Sequence, residues 1–189
     1  MPAAFEREVK LPFDNRAAAL TAIAACGAVP KRDRRLQRDA LLDTAEGLLR
    51  DARSLLRVRV EEGLTLLTFK GPVLPATMKV REEIETEVSD PAALLALLER
   101  LGFRVWFRYE KYREEFSVGS CVVAVDETPI GTYVEIEGDE AGIDRVAKEL
   151  GRTPGDFVLD SYRGLFVRSC EARGVPATDM LFPSGQDEA

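Results

Sequence analysis

The sequence has no histidine, only three cysteines and one tryptophan, and no long apolar run. Without histidine there is no Ser-His-Asp or Cys-His triad and no imidazole ligand. Any metal must then be held by carboxylates, and any proton moved by Lys, Tyr, Asp or Glu. Cys26, Cys121 and Cys170 are odd in number and outside CxxC spacing, which argues against a disulfide framework or a zinc site and reads as reduced core residues. No stretch reaches the roughly 18 to 20 apolar residues of a membrane span, and Glu6 and Glu8 interrupt the basic-then-apolar order of a signal peptide. The expected location is the cytoplasm, with no membrane partner. Lys and Arg number 26 against 33 Asp and Glu, a formal charge of −7. That field repels nucleic acid, so a polyanion site has to be a local concentration of Lys and Arg.

What remains is an ordinary globular composition of 46% hydrophobic and 31% charged residues over 189 positions, enough for one large domain with a real core. Residues 4 to 12 alternate and end at Pro12. "DNRAAALTAIAACG" reads as a helix with Asp14 as N-cap and Gly27 as its stop. "RRLQRDALLDT" reads as a strand, and "SLLRVRVEEGLTLLTFKGP" as a hairpin turning at Glu61-Glu62-Gly63. "ATMKVREEIETEV" is a further strand, and "SDPAALLALLERLG" a helix capped by Ser89 or Asp90. Three strands follow in "FRVWFRYEKYREEFS", "SCVVAVDE" and "GTYVEIEG", then helices in "DEAGIDRVAKELG" and "SYRGLFVRSCEARG". No linker divides the chain. The expectation is a single α+β domain over 1–176, an eight-stranded antiparallel sheet curled into a barrel with helices outside, and a flexible tail over 177–189.

On a strand, residues two apart share a face about 7 Å apart. Glu6, Glu8 and Lys10 share one; so do Arg57 and Arg59; so do Lys79, Arg81, Glu83 and Glu85; so do Lys111 and Arg113; so do Glu135 and Glu137. Lys70 ends the strand that pairs with the arginines. The opposite faces carry Val9, Leu56, Val58, Val80, Ile84, Val134 and Ile136. For one strand this is the usual wet face. Repeated on nearly every strand, with alternates that are almost purely Glu, Lys and Arg, it implies a barrel turned inside out, with the charges lining the interior. Such an interior must hold paired charges or a charged ligand. The set has eight cations and six carboxylates, net +2 within a chain of −7. Carboxylates without histidine suit Mg²⁺ or Mn²⁺, which bridge phosphate oxygens, and paired arginines suit bidentate phosphate contacts. The pattern points to a metal-assisted triphosphate site.

The Glu6-x-Glu8-x-Lys10 stretch matches the ExExK signature of the CYTH superfamily, the triphosphate tunnel metalloenzymes, and further blocks follow in family order. They are "QRD" at 37 to 39 with "DT" at 43 to 44, "LLRVR" at 55 to 59, "LTFKGP" at 67 to 72, "KVREEIETEVSDP" at 79 to 91, "LGF" at 101 to 103, "KYR" at 111 to 113, "VDETPIGTYVEIEG" at 125 to 138 and "SYRGLF" at 161 to 166. The chain resembles most closely the class IV adenylate cyclases of that superfamily, and is similar also to its thiamine triphosphatases. The resemblance implies an eight-stranded tunnel with Mg²⁺, or Mn²⁺, held by Glu6, Glu8, Glu135 and Glu137, with Asp126 and Glu83 or Glu85 as additions. It implies a triphosphate gripped by Lys10, Arg57, Arg59, Lys70, Lys111 and Arg113 with help from Lys79 and Arg81. Lys111, Arg113, Arg57 and Tyr162 are the candidates for the chemistry. Three activities are carried forward: a lyase making cyclic AMP and pyrophosphate from ATP, a hydrolase of tripolyphosphate, thiamine triphosphate or nucleoside triphosphates, and a non-catalytic polyphosphate-binding module. The expected assembly is a monomer or homodimer. Trp106, by parity opposite Lys111, is expected to pack toward the helices.

Overall fold

The computed structural model describes residues 4–183. Its elements in chain order are β1 (Ala4–Phe13), α1 (Arg16–Ala25), β2 (Val29–Thr44), α2 (Leu48–Asp51), β3 (Leu55–Glu61), β4 (Leu64–Lys70), β5 (Lys79–Glu87), α3 (Pro91–Arg100), β6 (Phe103–Val118), β7 (Cys121–Thr128), β8 (Gly131–Glu137), α4 (Glu140–Glu149) and α5 (Tyr162–Arg173). The strands form one closed antiparallel barrel in the order β1-β5-β4-β3-β2-β6-β7-β8. Closure removes the free sheet edges that an open eight-stranded sheet would expose. It depends on β1, which pairs with β5 from Ala4 to Glu8 and with β8 from Glu8 to Phe13.

The expected eight strands and the helices outside them are present, with local differences. β1 runs through Pro12 to Phe13, because beyond Glu8 its β5 neighbour has ended and a residue without an N–H is tolerated there. The cap of α1 is accordingly Asn15, whose side chain accepts from the Ala18 amide at 2.9 Å, rather than Asp14. β2 begins five residues earlier than its alternation announced, at Val29. The hairpin of β3 and β4 turns at Glu62 and Gly63, both at positive φ (46° and 81°), as a tight two-residue connection requires.

Outside the barrel, α1 and α4 cover β1, β7 and β8, burying Val9, Val123, Val134, Ile136, Ile143 and Val146 at 1% exposure or less. Each such side chain contributes about 1.5–3 kcal/mol relative to solvent. Gly142 of α4 permits this approach, since a Cβ there would lie 2.7 Å from Cys121 Sγ. α3 packs Leu98 over Leu42 and Val58, and α5 packs Tyr162, Phe166 and Cys170 against Leu41 and Phe107. Of the segment expected as a tail, Asp179 to Phe182 lies along β6. The Met180 amide donates to the Arg108 carbonyl, the Met180 carbonyl accepts from Glu110, and the Met180 side chain is 1% exposed. Residues 184–189 lie outside the described part of the chain. Among the described residues no helix is long and apolar enough to cross a membrane.

Candidate active site

With apolar faces covered by helices, the charged faces have only the barrel interior left. Glu6, Glu8 and Lys10 of β1, Arg57 and Arg59 of β3, Lys70 of β4, Lys79, Arg81, Glu83 and Glu85 of β5, Lys111 and Arg113 of β6, and Glu135 and Glu137 of β8 all line one cavity of about 550 Å³. Tyr162 of α5 joins them. The volume lies in the range of sites for nucleotide-sized ligands. Lys10 is 1% exposed and Lys111 3%, so these are desolvated charges that need partners.

The partners are specific. Lys10 Nζ lies 2.8 Å from Glu135, and Lys70 Nζ bridges Glu6 at 2.5 Å and Glu83 at 2.8 Å. Lys79 holds Glu8, and Arg113 holds Glu135. β1 and β8 are neighbours, with Glu8 opposite Glu137 and Lys10 opposite Glu135. The carboxylates of β1 and β8 therefore stand side by side on one wall.

Asp126 is the one residue of the expected set that does not reach the cavity wall. It is fully buried, and its carboxylate accepts from Lys111 Nζ at 2.7 Å, Arg113 Nε at 2.7 Å and the Tyr162 hydroxyl at 2.6 Å. That arrangement anchors cations from behind. Asp39, which alternation left unassigned, does the same on the other side: it accepts from Arg59 Nε at 2.9 Å and Arg59 Nη2 at 3.3 Å, with Arg57 Nε at 3.5 Å. The two aspartates bring the anions of the interior level with its cations, where the sequence count left net +2. The signal for Asp39 was its spacing of two from Gln37 on a strand; the signal for Asp126 was only the register that sets it opposite Arg113.

Two cations keep donors in reserve. Arg57 Nε is buried without a hydrogen-bond acceptor. Arg81 donates to the Gly71 and Lys70 carbonyls at 3.0 and 3.1 Å, and among the described residues no carboxylate is in contact with its charge. Burial, with Arg113 beside it, lowers the Lys111 ammonium to about 8. Burial and the Asp126 charge raise the Tyr162 phenol well above its ordinary range, so it stays a proton donor.

The acidic wall has the opposite character. Burial, then Glu8 beside it, pushes the Glu6 carboxyl up to about 8, and burial with Glu8 also raises Glu137. Crowded carboxylates pressed toward holding protons are what a divalent cation relieves, and their oxygens suit a hard ion. Among the described residues no three acidic side chains converge on one point. Glu6, Glu8 and Glu137 therefore suit Mg²⁺ or Mn²⁺ in the type of donor and not in their spacing, with the ammonium groups of Lys70 and Lys79 as the charges a metal would replace. Glu135 is held lower: burial works to raise its carboxyl, and Lys10, Arg113 and Lys111 more than reverse it.

Comparison with known proteins agrees with this geometry. The model of the CYTH domain matches residues 4–162. A protein of Methanocaldococcus jannaschii provisionally named an adenylate cyclase is 26% identical over 149 residues, 77% of this chain and 85% of that protein. A solved structure from Vibrio parahaemolyticus, also provisionally named an adenylate cyclase, superposes with a TM-score of 0.72 at 22% identity, covering 85% of this chain and 97% of that one. A structure from Hippeastrum, provisionally named an adenylyl cyclase and described as revealing a dominant triphosphatase activity, superposes with a TM-score of 0.60 at 22% identity, covering 91% and 96%.

Proposed function

From the membership of this chain in the CYTH domain family, we propose that it is a divalent-metal-dependent enzyme that binds a triphosphate in the barrel lumen and converts ATP to cyclic AMP and pyrophosphate. What supports the reading is the cation wall inside one nucleotide-sized cavity, where Arg57 Nε is buried without a hydrogen-bond partner and Arg81 has no carboxylate in contact among the described residues. Unmet donors of buried cations are costly unless an anion arrives.

In this reading Arg57, Arg59, Lys70, Lys111 and Arg113, with Lys10, Lys79 and Arg81, hold the phosphate oxygens, the arginines through their paired N–H groups. Asp39 and Asp126 keep the guanidinium groups of Arg59 and Arg113 aimed and Lys111 in place. Because the interior charges are already balanced, a triphosphate of about four negative charges requires added positive charge. Mg²⁺ at Glu6, Glu8 and Glu137 would supply it and stabilise charge on the phosphate oxygens. Attack of the ribose 3′-oxygen on the α-phosphorus forms the cyclic ester as the bond to pyrophosphate breaks. Lys111, lowered to about 8, holds a phosphate oxygen while protonated, and only its neutral fraction is suited to take the hydroxyl proton, while Tyr162 holds Asp126.

A second reading, hydrolysis by water at the γ-phosphorus, is supported by the activity described for the Hippeastrum structure and by a lumen lining dominated by charged groups of the kind that suit phosphates rather than a base. Incubation with ATP, tripolyphosphate and thiamine triphosphate in Mg²⁺ or Mn²⁺, with products identified, tests both. Cyclic AMP and pyrophosphate support the first, orthophosphate the second, and absence of turnover on all three sinks both.

A further inference from the structure

A second cavity, of about 330 Å³, lies outside the lumen among α2, the start of α5 and residues 177–179, and shares no lining residue with the first. Trp106 is one of the residues that line it. Leu41 pairs with Phe107 and Leu42 with Val105, so Trp106 is the extra residue of a β-bulge and is turned out of the barrel's alternation. Two guanidinium groups lie over its ring, Arg50 and Arg163, each 4.6 Å from the centroid.

The two arginines differ in how they are balanced. Arg50 Nε donates to Asp43 at 3.0 Å, and two backbone amides further tie that carboxylate to the α2 turn. Arg163 has no acidic partner among the described residues; besides Trp106 its guanidinium lies 5.8 Å from the Phe107 ring centroid. It occupies the second position of α5, whose first turn contains no acid. A helix N-terminus carries partial positive charge, so a cation there is disfavoured, and Arg50 repels it further. Burial and Arg50 both lower its hold on the proton. The acid on the cavity wall, Asp179, is already engaged: it accepts from the Arg108 amide at 2.7 Å and lies 4.0 Å from its guanidinium. Two guanidinium groups and one engaged carboxylate thus line one concavity, and Arg163 has no acidic partner there among the described residues.

We propose that this cavity is an oxyanion site, separate from the lumen, that takes a small phosphate-type anion between Arg50 and Arg163, with the Thr178 hydroxyl as a neutral donor. Charge-assisted hydrogen bonds from two guanidinium groups supply the affinity, and the anion relieves the repulsion between them.

Trp106 is the only tryptophan in the chain, so intrinsic emission reads this site directly. The full chain is titrated with inorganic phosphate, sodium chloride holding the ionic strength constant. A saturable change in emission is expected. Arg57→Ala, which alters only the lumen, should retain it, and Arg163→Gln should weaken it about tenfold or more. Thr178→Val, on an exposed segment, serves as an independent variant and should weaken it severalfold. The proposal is overturned if wild type shows no saturable change, if both Arg163→Gln and Thr178→Val titrate like wild type, or if Arg57→Ala alone abolishes the response.

Discussion

Replacing Asp126 by asparagine keeps the shape of the side chain and removes its charge. In the native protein that carboxylate accepts hydrogen bonds from Lys111, Arg113 and Tyr162, all within 2.7 Å, with no exposure to solvent. Asparagine leaves two buried cations with Glu135 as their remaining acidic contact. Removing one partner of a buried ion pair costs about 3–5 kcal/mol. For a chain of this size each kcal/mol lowers the unfolding midpoint by about 2–4 °C, so a fall of about 6–20 °C is expected in a thermal scan without ligand. The concentration of Mg²⁺ needed for half-maximal turnover should change little, because Asp126 lies behind the cavity wall. If the midpoint stays within about 2 °C of wild type while the Mg²⁺ requirement rises tenfold, Asp126 is a metal ligand and the anchoring role is wrong.

Chelation should separate fold from function. Glu6, Glu8 and Glu135 each have a cationic partner within the chain, so EDTA should stop turnover while leaving far-UV circular dichroism and the unfolding midpoint unchanged; unfolding on chelation would show a structural metal instead. Glu61 gives a pH test at a group that does not line the cavity. Burial works to raise its carboxyl, but Gln37, Arg35 and Arg32 hold it at about 2. Its folded value lies below the ordinary 4.5, so the stability it contributes is present above pH 4.5 and lost as pH falls toward 2. Between pH 5 and pH 2, wild type should lose about 3 kcal/mol more than Glu61→Gln in denaturant titrations, and parallel curves would refute the assignment.

Much of the lumen was legible because strand alternation has a period of two, and that period assigns a face without any knowledge of strand order. Glu6, Arg57, Lys79, Lys111 and Glu135 needed nothing more. Depth and neighbourhood did not follow from parity. Asp126 shares the inward face with Lys111 and Arg113, yet only its pairing with Arg113 and its burial show that it lies behind them. The side-by-side placement of Glu8 and Glu137 depends on β1 closing the barrel onto β8, a long-range pairing with no local signature. Trp106 packs toward α5, the side its parity opposite Lys111 gave it, although a bulge breaks the alternation at that point, so that Val105 packs under α3 while Phe107 faces Leu41. The docking of Met180 on β6 was hidden for a different reason: a short apolar residue in a polar tail looks like any other.

The most direct test of the central claim is calorimetric binding of tripolyphosphate in Mg²⁺ to wild type and to Arg57→Ala. The lumen as triphosphate site predicts one saturable event in wild type, weakened about tenfold to a hundredfold in the variant, as loss of a charge-assisted contact implies. Equal affinity in both proteins, or no binding to wild type, would contradict it.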